Sequence, residues 1–194
     1  MFRLKLIYDV AHAFSVEIDN TGPGSHITPY AVIMNVATNE KPSVGSDLMY
    51  AKVAIVDPVL MGTLPSQMIA VTGFDVLAHT IEAYTSNDAT PFSDQYCEEA
   101  IKLTGKYLLR AIKDGSEFEA REGLDLADTY SGTTISITVI TMCYAMAHAI
   151  GDVCNTVHGI SLAAMTLSTM RHYLSRRPEK YAKIGAFLKR KQNS

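Results

Sequence analysis

Short runs of β-branched and apolar residues between Gly, Pro or Asn mark strands, whereas apolar positions recurring every three to four residues mark helices. By the first pattern, residues 30–35 (YAVIMN) and 52–57 (KVAIVD) read as strands. Before them, residues 20–28 (NTGPGSHIT) read as a turn that exposes its backbone. From Thr63 onward the second pattern takes over. Thr63 is placed to cap a helix with Pro65 near its first turn, interrupted near Gly73 and running to about Ser86. A second helix is predicted over residues 91–113, with a stripe at Cys97, Ile101, Thr104, Leu108 and Ile112 and a stop at Gly115. Ser116 with Glu119 forms a capping-box pattern for a third helix, which breaks at Gly132 and continues into an apolar stretch. After a loop at residues 151–157, further helices begin near Gly159 and Pro178. The chain thus divides near residues 57–65 into a strand-containing front (1–62) and an all-helical remainder (63–194), with no internal repeat or low-complexity segment.

Residues 132–150 contain no Lys, Arg, Asp or Glu, which approaches the length of a membrane span. They also carry six hydroxyl residues and His148, and their flanks are Asp125, Asp128 and Asp152 rather than basic anchors. A helix buried within the protein, not a span, is the expectation.

With 194 residues, 47% of them hydrophobic, and a net charge of -3, the chain can build a core and is not a disordered polyelectrolyte. Charge is uneven: residues 171–194 hold 8 Lys/Arg against 1 acidic residue, and the other 170 hold 9 against 19. No aromatic interleaving accompanies the basic tail, so nucleic-acid binding is not expected. Three cysteines (Cys97, Cys143, Cys154) form no CxxC, and the first twenty residues lack the apolar run of a secretory signal, which points to the cytoplasm.

Asp75 and His79 stand four apart on a helix, so both can reach one divalent ion, and a carboxylate with an imidazole suits Fe(II), Zn or Mn. A salt link or a helix cap is the plainer reading of that pair alone. His148 lies inside the uncharged stretch and is expected to be buried, either as a hydrogen-bonded core histidine or as part of a site. His158 opens a helix, where it can cap or ligate. His12, His26 and His172 read as surface residues.

The run LPSQMIAVTGFDVLAHTIEAYTSNDATPFSDQYCEEAIKL resembles the metal-binding signature of the iron-containing alcohol dehydrogenase family, Gly-x-Asp-Ala-x-x-His-Ala-x-Glu-Ala-Tyr. AMAHAIGDVCNTVHGISLA resembles its second signature, His-x-x-x-His-x-x-Gly…Pro-His-Gly. GPGSHITPYAVI resembles its cofactor-side loop, Gly-Thr-Gly-Ser-Glu-x-Thr-Pro, and KVAIVDPVL the strand that follows. The resemblance covers residues 21–188. It implies an α/β front portion, the remnant of a Rossmann-like nucleotide domain, then an all-α metal-binding domain: a truncated dehydroquinate synthase-like architecture. It implies that Asp75, His79 and His158 bind Fe(II), or Zn(II), and that His148 lies beside the nicotinamide and the substrate. Gly22, Gly24, Ser25 and Thr28 would face NAD or NADP. The implied reaction interconverts an alcohol and its aldehyde or ketone by metal-assisted hydride transfer.

The departures are specific. The family's third metal-ligating histidine, four residues before His148, is Tyr144, which can take its place as a phenolate ligand of iron but ordinarily ionises only near pH ~10 and is a poor ligand when neutral. Ile137, Val139 and Thr141 replace small residues, Pro23 replaces a threonine and His26 a glutamate. There is no Gly-Gly to make a pyrophosphate turn, so the chain resembles a middle section of the family. Two readings follow: an alcohol dehydrogenase, whole in function or part of one, or a metal-binding or structural remnant without turnover. A glycerol dehydrogenase or dehydroquinate synthase-like lyase fits the spacing around His148 and His158 less well. Expected partners are a small alcohol or aldehyde and, through apolar surface left uncovered, further copies of the chain; no nucleic acid and no membrane are expected.

Overall fold

The computed structural model describes residues 24–33 and 42–189. β1 (Tyr30–Val32) pairs antiparallel with β2 (Ser43–Gly45) in the register Tyr30↔Gly45, Ala31↔Val44, Val32↔Ser43. Residues 52–57 form no strand. Val53 and Ile55 within them are exposed, so the β-branched run lacks both a ladder partner and a covered face. A turn-rich link at residues 58–63 then leads to six helices.

The helices are α1 (Ser66–Thr85), α2 (Pro91–Lys113), α3 (Phe118–Ile137), α4 (Met142–Cys154), α5 (His158–Tyr173) and α6 (Pro178–Leu188). α1 is the hub and packs on α2, α3, α5 and α6. Ile69, Val76, Ala83 and Tyr84 on it are fully buried. α2 begins with a reciprocal cap in which the Ser93 N–H donates to Thr90 Oγ1 (3.2 Å) and the Thr90 N–H to Ser93 Oγ (2.9 Å), with Pro91 in the first turn. Its expected stripe is inside: Cys97, Ile101 and Thr104 are buried, and Leu108 and Ile112 pack on the Ile69–Leu124 cluster.

Pro65, not Thr63, stands at the start of α1. The capping box expected at Ser116 is absent. Ser116 donates to Asp114 Oδ1 (2.6 Å), and Glu119 instead accepts from Arg110 (2.6 Å) and Tyr107 (2.9 Å).

Neither glycine expected to interrupt a helix does so. At Gly73 a Cβ would lie 2.4 Å from Leu108 Cδ1, so the missing side chain lets α2 approach α1. At Gly132 a Cβ would lie 2.5 Å from Ile27 Cγ2 and 3.0 Å from the Gly24 Cα, so the turn before β1 rests directly on α3.

The break comes later, after Ile137, and has a definite cause. The buried carboxylate of Glu82 on α1 accepts from the N–H groups of Thr141 (3.0 Å), Cys143 (2.8 Å) and Tyr144 (3.3 Å) and from the Thr141 hydroxyl (2.7 Å). These are the first donors of α4, which have no partner within their own helix, and a negative charge is favoured at that end. The chain therefore turns by 102° between α3 and α4. Among the described residues no single helix is long and apolar enough to cross a membrane; only this bent pair passes by length and composition together.

Candidate active site

Four short segments meet at one cleft of about 710 Å³. α1 contributes Asp75 and His79, α4 contributes Tyr144 and His148, His158 opens α5, and Ser25 and Thr28 come from the turn before β1. The helical period sets which side chains face the cleft: Asp75 and His79 are one turn apart, and so are Tyr144 and His148.

Tyr144 sits among the other polar groups. Its ring stacks on the His79 imidazole, with centroids 4.2 Å apart and planes 13° from parallel. It also makes an edge-type contact with the His158 ring, centroids 5.2 Å apart. Its hydroxyl donates a short hydrogen bond to Asp75 Oδ1 and lies 3.3 Å from the Asp75 carbonyl oxygen. His148 stands 4.8 Å from His158, ring to ring. It is half-buried rather than enclosed, because it lines the open cleft.

Burial dominates the electrostatics. It lifts the Asp75 carboxyl to about 7, against the opposing pull of the Tyr144 hydrogen bond. It lowers His79 to about 3, with the nearby His158 and His148 adding to the effect. It drives the Tyr144 phenol well above its ordinary value, and the Asp75 carboxylate pushes the same way. His79 Nδ1 lies 3.5 Å from Asp75 Oδ1. With His79 held neutral, that contact is not an ion pair. Among the described residues no three His, Cys, Asp or Glu side chains converge closely enough to hold a metal ion.

The turn before β1 is fixed from behind. Gly24, at φ 58°, donates its N–H to the buried Asp128 Oδ1 (3.1 Å), and Ser136 Oγ donates to the Ile27 carbonyl (3.1 Å). His26, expected at the surface, is 4% exposed: Nε2 is 3.2 Å from Thr129 Oγ1, and Nδ1 is 3.9 Å from Asp128 Oδ2. His172 is exposed as expected, whereas Gly22 and His12 lie outside the described residues. The structure adds Glu82 and Asp128, neither of which was a candidate site residue in the sequence. Glu82 stands within the first signature, but only the bend between α3 and α4 shows what it binds.

Residues 69–194 match the profile described as Fe-containing alcohol dehydrogenase family, C-terminal. The chain belongs to this family. It is 34% identical over 167 residues to the 1,3-propanediol dehydrogenase of Citrobacter freundii, covering 86% of this chain and 43% of that one. It is also 34% identical over 167 residues to the NAD-dependent methanol dehydrogenase of Bacillus methanolicus, covering 86% and 44%. The crystal structure of a 1,3-propanediol oxidoreductase superposes with a TM-score of 0.84 at 32% identity, covering 90% of this chain and 46% of that one. The chain thus spans less than half the length of these relatives, and the match bears out the mostly helical architecture, that of the family's C-terminal domain.

Proposed function

We propose that this chain forms the alcohol-facing, helical half of a nicotinamide-linked alcohol oxidoreductase. One observation carries the reading: the cleft brings Asp75, His79, Tyr144, His148 and His158 together with Ser25 and Thr28 of the cofactor-side turn. A cleft of about 710 Å³ has room for a small alcohol or aldehyde beside a nicotinamide ring. When bound, NAD or NADP supplies the hydride acceptor or donor. Gly24 has given its N–H to Asp128, so the turn meets the cofactor through Ser25 and Thr28, which line the cleft. His148 and His158, half-buried at the cleft wall, offer ring nitrogens to the substrate oxygen and hold or release its proton. Buried, neutral His79 and the carboxyl of Asp75 close the floor and exclude water.

The family carries iron in its name, and the signatures assign Fe(II) or Zn(II) to Asp75, His79 and His158. Their chemistry, one carboxylate and two imidazoles, suits such an ion. Their arrangement does not fit one: the Asp75 carboxylate is engaged by the Tyr144 hydroxyl, and no three ligating side chains converge. That observation favours a second reading, a relative that keeps the fold and cleft without turnover. The three free thiols suit a reducing cytoplasm. Exposed Leu48, Val53, Ile55, Val59 and Leu60 favour a homo-oligomer or self-association.

Two measurements on the purified chain test the reading. NADH titrated against the protein should give saturable fluorescence enhancement, and small primary alcohols with NAD should give measurable reduction. Saturable binding without turnover selects the second reading, and no binding of NADH or NADPH removes the first.

A further inference from the structure

We infer that Tyr144 fills the position an ion would take between Asp75, His79 and His158, so that this chain retains no divalent metal tightly and one substitution, Tyr144→His, opens the position. The inference rests on the proposed reading, since the position is the one that the family's signatures define.

The geometry argues it from both ends of the side chain. At the backbone, the Tyr144 N–H is held by Glu82 Oε2 at 3.3 Å, within the same carboxylate that fixes the first turn of α4. At the tip, the hydroxyl donates to Asp75 Oδ1 and faces the Asp75 carbonyl oxygen. Between these anchors the ring lies flat on His79 at 4.2 Å and presents its face or edge to His158 at 5.2 Å. One phenol therefore touches all three groups that would have to converge on an ion, and it is 3% exposed. An ion entering here would take Asp75 Oδ1 from the buried hydroxyl and leave it only the longer contact to the Asp75 carbonyl oxygen, a weaker partner for a buried donor. The ring, in contact with both His79 and His158, would also have to give way before the two imidazoles could converge on an ion with bonds of about 2 Å. Histidine at this place is smaller, is a metal ligand in its neutral form, and leaves the Asp75 carboxylate free to turn toward an ion.

Wild-type chain, Tyr144→His and the double variant Tyr144→His/His79→Ala are loaded anaerobically with Fe(II) or Zn(II), desalted, and assayed for metal by elemental analysis. Wild type should retain far less than one ion per chain, Tyr144→His about one, and the double variant should lose it again. One ion held by wild type and lost in His158→Ala would overturn the inference. So would a folded Tyr144→His that retains none. If the histidine variant misfolds, Tyr144→Ala removes the ring without adding a donor. It should bind Zn(II) at least roughly tenfold more tightly than wild type, and equal affinity would overturn the inference. NADH binding by the wild type, measured alongside, keeps the two readings apart. Its absence removes the proposed function whatever the metal content, and metal retention by wild type overturns only the inference.

Discussion

Asp75 and Glu82 are two carboxylates on one helix, seven residues apart and similarly buried, at 9% and 7% exposure. Glu82 meets three backbone N–H groups at a helix start, which have no partner within that helix, and a hydroxyl beside them. Asp75 meets a single phenol and an imidazole kept neutral by burial. The first carboxylate is compensated by fixed dipoles and builds the fold. The second is undercompensated, which is why burial pushes its ionisation upward, and it belongs to the site. Burial alone therefore does not separate a structural acid from a functional one; the donors facing it do.

The contrast predicts unequal costs for equivalent amide substitutions. Glu82→Gln keeps the shape but sets an NH2 group against N–H donors and removes the charge, so it should destabilise the chain by about 2 kcal/mol in urea unfolding. Asp75→Asn keeps an oxygen for the Tyr144 hydroxyl and gives up a charge that burial already disfavours. It should cost no more than about 1 kcal/mol in the same assay. If the two losses came out equal, or reversed, the distinction drawn here would be wrong.

Glu98 supplies a third, more open case. It accepts from Tyr84 (2.7 Å) and Lys183 (2.8 Å), and Lys183 first, then Tyr84, holds its carboxyl below the ordinary 4.5. A lowered folded-state value stabilises above the unfolded value and is lost as pH falls through the folded one. Glu98→Gln should therefore cost only about 0.5 kcal/mol at neutral pH, since Lys183 is exposed and screened. The gap to wild type should narrow in melting curves taken below pH 4.5. A gap that widened on acidification would contradict the assigned sign.

Much of the helical portion was legible in the chain. α2 and α6 begin at Pro91 and Pro178, where proline suits a first turn, and the stripe from Cys97 to Ile112 faces inward as its spacing requires. Gly73 and Gly132 misled, because a glycine in a helix reads locally as a weak point, whereas here each is the place where another segment comes close. The run at residues 52–57 misled for a related reason. Its β-branched residues favour extended backbone, but a strand exists only when a partner supplies the ladder, and β1 pairs with Ser43–Gly45 instead. His26 looked exposed because nothing near it in sequence announces Asp128 and Thr129, a hundred residues away.

What the sequence determined by itself was the set of candidate groups and their local spacing: Asp75 with His79, Tyr144 with His148, and His158 at a helix start. These follow from the period of a helix, which needs only neighbours along the chain. What the tertiary structure decided was how they combine. Glu82 holds the first turn of α4, and the helix brings Tyr144 down onto Asp75, His79 and His158. That encounter joins residues about seventy positions apart, and only the packing of α1 against α4 and α5 brings them within reach of one another.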